Sequence, residues 1–218
     1  ILSGVLVGLQ IADEREIKER VLGCSVQVAI LEGEGALAEW KTVGSGTVFK
    51  TKQGVFILTA GHVVDRAMEE VEEHPQPGEV KEDKKRIIFN DVVIIVVNEK
   101  GGRVVSEIRL YCRVLKYSPV EEQRGNDLAV LQPYDEETAA KLLSGARPLP
   151  KDSTIYTGQP VYHCGSLLGE LLNSVTFGVI SATARQYRGR TFFQLSTSAQ
   201  PGSSGGGIFV VKDGKCYY

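Results

Sequence analysis

In Pro201-Gly202-Ser203-Ser204-Gly205-Gly206-Gly207, two adjacent hydroxyls are enclosed by glycines and a proline. A loop of that composition can bend until several backbone N–H groups converge on one spot. Convergent donors are what a developing oxyanion needs, and losing one typically costs about 10²–10³ in rate. A serine hydroxyl attacks poorly unless a base takes its proton, so a histidine must lie within hydrogen-bond reach. The chain has three, His62, His74 and His163. His62 stands in Leu58-Thr-Ala-Gly-His-Val-Val-Asp65, where an apolar run ends in a small-residue turn able to present the ring at a cleft. His74 lies in a charged stretch and reads as solvent-exposed, while His163 lies inside a predicted strand and reads as a core histidine. Its neighbour Cys164 points to the opposite face of such a strand, so the two make no dyad. An acid that orients an imidazole and stabilises its protonated form is offered by Asp127, at the mouth of the apolar run Leu128-Ala-Val-Leu131.

The rest of the chain consists mainly of short β-branched runs separated by Gly, Lys and Glu: 25–31, 46–51, 54–59, 86–97, 103–117 and 128–131, then 160–164, 174–184, 191–196 and 208–211. Two helices are predicted. The first follows Asp13, with Asp13 capping it, Glu16 capping back, and Glu14–Lys18 and Glu16–Arg20 pairs on its exposed face. The second follows Asp135 and closes at Gly145. The charged segment from Arg66 to Lys85 reads as a solvated excursion of one or two helical turns and a loop. Two sets of strands joined by one helical bridge predict an all-β fold of two six-stranded-type antiparallel barrels. Residues 1–23 form an N-terminal segment with a short helix, 24–134 the first barrel, 135–152 the connector and 153–218 the second barrel.

The composition excludes several classes. With 218 residues, 42% of them hydrophobic, the chain can bury a core, so a disordered chain is ruled out. Its 25 Lys+Arg against 27 Asp+Glu leave no basic surplus, and no nucleic acid partner is expected. The apolar opening Ile1 to Ile11, interrupted by Ser3, Gly4, Gly8 and Gln10, is too short for a membrane span, and no basic stretch precedes it to make a complete signal peptide. Cys24, Cys112, Cys164 and Cys216 are widely separated, with no CxxC pair, which disfavours zinc. Two disulfides or four free thiols fit equally, leaving the compartment open.

Thr59-Ala-Gly-His-Val-Val-Asp65, Asn126-Asp-Leu-Ala-Val-Leu131 and Pro201-Gly-Ser-Ser-Gly-Gly206 resemble the three signature segments of trypsin-like serine proteases, in the His, Asp, Ser order of that fold. Gly44-Ser-Gly-Thr-Val-Phe49, Val175 to Ala182 and Phe193 to Gly206 make the resemblance stronger to the HtrA/Deg branch, over a range from Ile17 to Asp213. The resemblance implies a chymotrypsin-like fold and a serine endopeptidase acting on peptide or protein substrates through an acyl-enzyme, without metal or organic cofactor. It makes Ser204 the nucleophile, His62 the general base and Asp127 its orienter. The oxyanion hole falls to the backbone N–H groups of Gly202 and Ser204, with Ser203 between them, and Ser198 to the floor of the primary specificity pocket.

Departures from the family carry expectations too. Ser203 stands where trypsin-type zymogens place the Asp that pairs with a freed N-terminus, so activation through Ile1 is rejected. Tyr218 follows Ser204 by only 14 residues, so the second barrel is expected to lack strands that further sequence, a second copy or another chain completes. No PDZ module is present in the sequence. These departures motivate a rival reading, a catalytically silent protease fold serving as a binding or assembly module. An α/β-hydrolase is excluded, because its acid and histidine follow the nucleophile and no histidine follows Ser204.

Overall fold

The structure, a computed structural model, describes residues 12–32, 38–73, 84–100, 103–120, 126–167 and 171–218. Helix α1 (Glu14–Arg20) begins as expected, the Asp13 carboxylate accepting from the Glu16 N–H at 2.7 Å. Glu16 does not cap back. Its Oε1 accepts instead from Arg147 Nη1 at 2.7 Å and from the Cys216 N–H at 2.9 Å, tying the helix to the far end of the chain. On the exposed face, the pair that forms is Arg15 with Glu19.

The strands β1 (Ser25–Glu32), β2 (Glu39–Thr51) and β3 (Gly54–Thr59) lead into a short helix, α2 (Gly61–Val64). Then come β4 (Met68–Glu73), β5 (Lys84–Phe89), β6 (Val92–Lys100), β7 (Arg103–Ser118) and β8 (Leu128–Pro133). Strands β1-β2-β3-β8-β7-β6 close into a barrel, β6 returning to β1 with Gln27 opposite Ile95 and Ile30 opposite Val92. Closure leaves no open edge in this sheet. Strand β1 is buried on both faces: Val26, Val28 and Ile30 enter the main core, while Ala29 packs with Val93 and Ile95 under Trp40.

Helix α3 (Glu136–Leu142), capped by Asp135 accepting from the Thr138 N–H at 3.0 Å, bridges to the second half. There β9 (Pro160–Leu167), β10 (Leu171–Tyr187), β11 (Arg190–Leu195), β12 (Gly207–Lys212) and β13 (Lys215–Tyr217) form one sheet in the order β11-β10-β9-β12-β13. Of the two barrels expected, the second, from which strands were expected to be missing, is not closed among the described residues. No ladder joins β11 to β13 among the described residues, so the second sheet is open and five-stranded. Tyr162 and Cys164 of β9 face the main core, and Val161, on the other side, packs with Ile180 and Val210.

The excursion after Arg66 also differs from its reading. After a single 3-10 turn, β4 and β5 pair as a hairpin with Glu72 opposite Lys85 and Glu73 opposite Lys84. The backbone ladder runs from Met68 opposite Phe89 to Glu73 opposite Lys84 where helical turns were expected. The long strand read over 86–97 is broken at Asn90, whose N–H donates to the Ala67 carbonyl at 2.7 Å. His74 lies outside the described residues. Among the described residues no helix is long and apolar enough to cross a membrane, and no group of His, Cys, Asp and Glu could hold a metal ion. All four cysteines are free and buried.

Candidate active site

Strand β3 runs out at Thr59, and the chain turns at Ala60 into α2, whose second residue is His62. A Cβ on Gly61 would stand 2.4 Å from the Ser118 carbonyl oxygen and 3.1 Å from the Leu128 nitrogen, so only glycine lets the start of β8 come this close. Asp127, just before β8, adopts φ 51°, a left-handed conformation that Asp tolerates better than most residues. From there its Oδ1 accepts the backbone N–H of His62 at 2.8 Å. Both carboxylate oxygens also contact the imidazole Nδ1, at 3.0 and 2.9 Å. A carboxylate accepts and never donates, so Nδ1 carries a proton, and in the neutral ring Nε2 keeps its lone pair. The expected base and its orienter are together.

The serine loop is two consecutive turns. The Ser203 N–H donates to the Gln200 carbonyl at 3.0 Å, with Pro201 and Gly202 (φ 90°) at the corner. The Gly206 N–H donates to the Ser203 carbonyl at 2.9 Å, with Ser204 and Gly205 (φ 81°) at the corner. Proline followed by a positive-φ glycine is the signature of a type II turn. Of the two hydroxyls, Ser203 is turned inward: its Oγ donates to the Gln200 carbonyl at 2.7 Å and the residue is buried. The Ser203 N–H is likewise committed, to the Gln200 carbonyl. The N–H groups of Gly202 and Ser204 donate to no backbone acceptor among the described residues.

Ser45 pins this loop to the barrel. Its Oγ donates to the Gly202 carbonyl at 2.8 Å and accepts from the Ser166 N–H at 2.7 Å, and its own N–H donates to the Ser204 carbonyl at 2.8 Å. A Cβ on Gly205 would collide with the Ser45 carbonyl oxygen and with Thr59 Oγ1, each at 2.3 Å, and with the Ala60 nitrogen at 2.7 Å. A Cβ on Gly44 would meet Val63 Cγ2 at 2.5 Å and the Ser204 carbonyl oxygen at 2.9 Å. Gly205 therefore lies against Thr59 and Ala60, just before His62, and Gly44 sits between Val63 and the Ser204 carbonyl. No hydrogen bond joins Ser204 Oγ to His62 among the described residues.

Beside Ser204 opens a cavity of about 550 Å³ whose wall includes His163, Thr197, Gln200, Ser203 and Ile208. Ser198 is exposed and does not line it; the Ser198 carbonyl accepts from Thr176 Oγ1 at 3.0 Å. His163 takes its place in the wall. It is 5% exposed, and burial pushes its imidazole below the ordinary histidine value. A smaller apolar cavity of about 440 Å³ shares Leu195 and Ile208 with the first and is lined further by Ile155, Phe193 and Val210.

Two of these residues, Ser45 and His163, were not among the expected site residues, although His163 is buried as its strand position predicted. Ser45 carried one signal, its enclosure by Gly44 and Gly46, which marks close backbone approach. His163 carried only its period-two position opposite Tyr162 and Cys164.

Residues 44–217 match the family described as trypsin-like peptidase domain. No curated protein matches the sequence. Among solved structures, Deg5 is similar with a TM-score of 0.54 and 21% identity, over 89% of this chain and 77% of that one. The HtrA-type protease AlgW with tripeptide gives 0.57 and 20%, over 89% of this chain and 49% of that one. Its serine-to-alanine variant with tripeptide gives 0.58 and 19%, over 91% and 51%. The chain thus spans about half the length of the AlgW chains. The matched span covers most of the sequence, and the chain belongs to the trypsin-like peptidase family, with the fold that HtrA-type proteases share.

Proposed function

We propose that the protein is a serine endopeptidase in which Ser204 attacks a peptide carbonyl, His62 Nε2 takes the hydroxyl proton, and Asp127 holds the imidazole by Nδ1. The same proton then passes to the leaving amine, whose departure leaves an ester on Ser204 Oγ. Water, deprotonated by His62, attacks that ester; the acid is released and Ser204 regains its proton. The N–H groups of Gly202 and Ser204 face the oxyanion in both halves of the reaction. One observation carries the reading: the carboxylate of Asp127 grips His62 by both its backbone N–H and its Nδ1, on the strand pair that also holds the Ser204 loop.

The test is proteolysis of an unfolded protein such as casein by the full chain and by Ser204→Ala. The parent is expected to digest it, and the variant to be slower by about 10⁴–10⁶, the range seen for loss of a triad nucleophile. Equal digestion by both would sink the assignment.

A further inference from the structure

The β10–β11 hairpin reaches past the rest of its sheet. Strand β9 accompanies β10 as far as Pro160 opposite Val179. Beyond Ile180 only β11 pairs with β10 among the described residues, with Ala182 opposite Gln194, Arg185 opposite Phe192, Gln186 opposite Thr191 and Tyr187 opposite Arg190. The strands turn at Arg188 and Gly189, both at positive φ, 49° and 74°. Asn or Gly fits such a corner freely, whereas arginine is strained there. The Arg188 guanidinium lies over the Tyr187 ring at 5.2 Å.

Residues opposite each other in a ladder, and residues two apart along a strand, share a face. Arg185, Tyr187, Arg190 and Phe192 therefore stand on one face of this ribbon, cation diagonal to cation and ring diagonal to ring. The two ring centroids are 6.5 Å apart, with Tyr187 61% exposed and Phe192 45%. On the opposite face Gln186 Nε2 donates to Thr191 Oγ1 at 2.7 Å. Arg185 donates to a neutral oxygen, Gln194 Oε1, at 2.7 Å. The sequence from Leu171 to Lys212 contains no Asp or Glu, so no carboxylate of these strands offsets the arginines.

A face of this kind calls for a partner that is anionic and also receives aromatic rings. A second copy of the same face would set arginine against arginine. An acidic peptide that adds as a strand pairs with a sheet edge, whereas these side chains stand on the ribbon's face. The headgroup layer of an anionic bilayer meets both conditions. Guanidiniums pair with its phosphates, and aromatic rings settle at headgroup depth.

We propose that this ribbon is a peripheral docking surface for anionic lipid bilayers, with Arg185, Arg188 and Arg190 on the phosphates and Tyr187 and Phe192 among the headgroups. The assignment goes beyond the peptidase reading and does not depend on it.

The experiment is co-sedimentation of the full chain with vesicles of phosphatidylcholine, alone or mixed with phosphatidylglycerol, at low and high salt. Binding is expected only with phosphatidylglycerol, and to weaken as salt rises. Replacing the three arginines together, Arg185→Gln, Arg188→Gln and Arg190→Gln, should weaken it by about 100-fold, roughly fivefold for each guanidinium. A cooperative thermal melt shows that the variant is folded. Should it not fold, Tyr187→Trp decides. Brominated lipid is expected to quench the new indole, with the parent as reference, since its Trp40 lies in β2 of the first barrel. Absence of binding to the anionic vesicles, equal binding to both kinds, binding that survives in the folded triple variant, or an unquenched indole overturns the proposal. Soluble polyglutamate that binds the parent and displaces it from the vesicles overturns it too, in favour of an acidic peptide.

Discussion

Ser45 Oγ donates to the carbonyl of Gly202 across 157 positions of sequence, at 2.8 Å, and so fixes the serine loop to the strand pair that carries His62. The same oxygen accepts from Ser166 N–H, so one buried hydroxyl satisfies two backbone groups from the second half of the chain. Sequence places Ser45 in a glycine-flanked strand, packing buries it, and the hydrogen bonds convert burial into placement of the Ser204 loop.

Ser45→Ala leaves the Gly202 carbonyl and the Ser166 N–H without this partner. Each orphaned buried group costs about 1–3 kcal/mol. The expected result is a lower melting temperature together with a fall in kcat larger than any rise in KM, because the loop moves relative to His62 while the cavity walls remain. A steady-state kinetic analysis beside a thermal melt separates the two effects.

Asp127→Asn replaces an acceptor-only group with one that can present an N–H to His62 Nδ1. The imidazole then carries its proton on Nε2, and the base is lost to Ser204. A fall in kcat of about 10⁴ is expected, as for other triads whose orienting carboxylate becomes an amide. Proteolysis rates of the purified variant test this, with circular dichroism to show that the barrel persists.

The thiols should be silent in the native state. Burial pushes Cys164 up to about 11, and Cys112 and Cys216 to about 12, while burial raises Cys24 further still. Thiolate is the reactive form. A thiol-specific reagent at neutral pH is therefore expected to modify the folded chain far more slowly than the urea-unfolded chain, in which all four groups react. Rapid reaction of any of them under native conditions would contradict the packing around it.

His163 contributes a pH dependence whose sign follows from its direction of shift. Burial holds the folded imidazole below the ordinary value of 6.5, whereas the unfolded chain titrates near that value. Above 6.5 both states are neutral and stability is unaffected. As pH falls below 6.5 the unfolded chain takes up a proton that the folded chain refuses, and stability drops until the folded group titrates as well. Urea midpoints measured downward from pH 7 should decline more steeply for the parent than for His163→Leu. A parallel decline in both would show that other groups account for the loss.

What the sequence made legible were features that depend on local chemistry. Asp13 and Asp135 cap helices because a short carboxylate before a helix-forming run has few other uses. Asp127 reached His62 because a strand mouth beside glycine permits close approach. Long-range partners were less legible. Glu16 looked like a capping residue, but Arg147 and the Cys216 N–H, 131 and 200 positions away, claim it. The acidic run after Arg66 looked like solvated helix until Lys84 and Lys85 proved to lie opposite Glu73 and Glu72. Ser198 was placed at the pocket floor by the family resemblance and not by local chemistry. The cavity wall is set instead by which face of β9 turns toward it, and that depends on register with β10 and β12.

The most direct measurement is a mass-spectrometric map of fluorophosphonate labelling on the full chain. Such a probe reacts only where a base activates a hydroxyl beside donors for the phosphonyl oxygen. A single adduct on Ser204, absent in Ser204→Ala and strongly reduced in Asp127→Asn, is the predicted result. An adduct on Ser203, labelling that persists in Ser204→Ala, or an unlabelled folded parent would contradict the assignment of nucleophile and base.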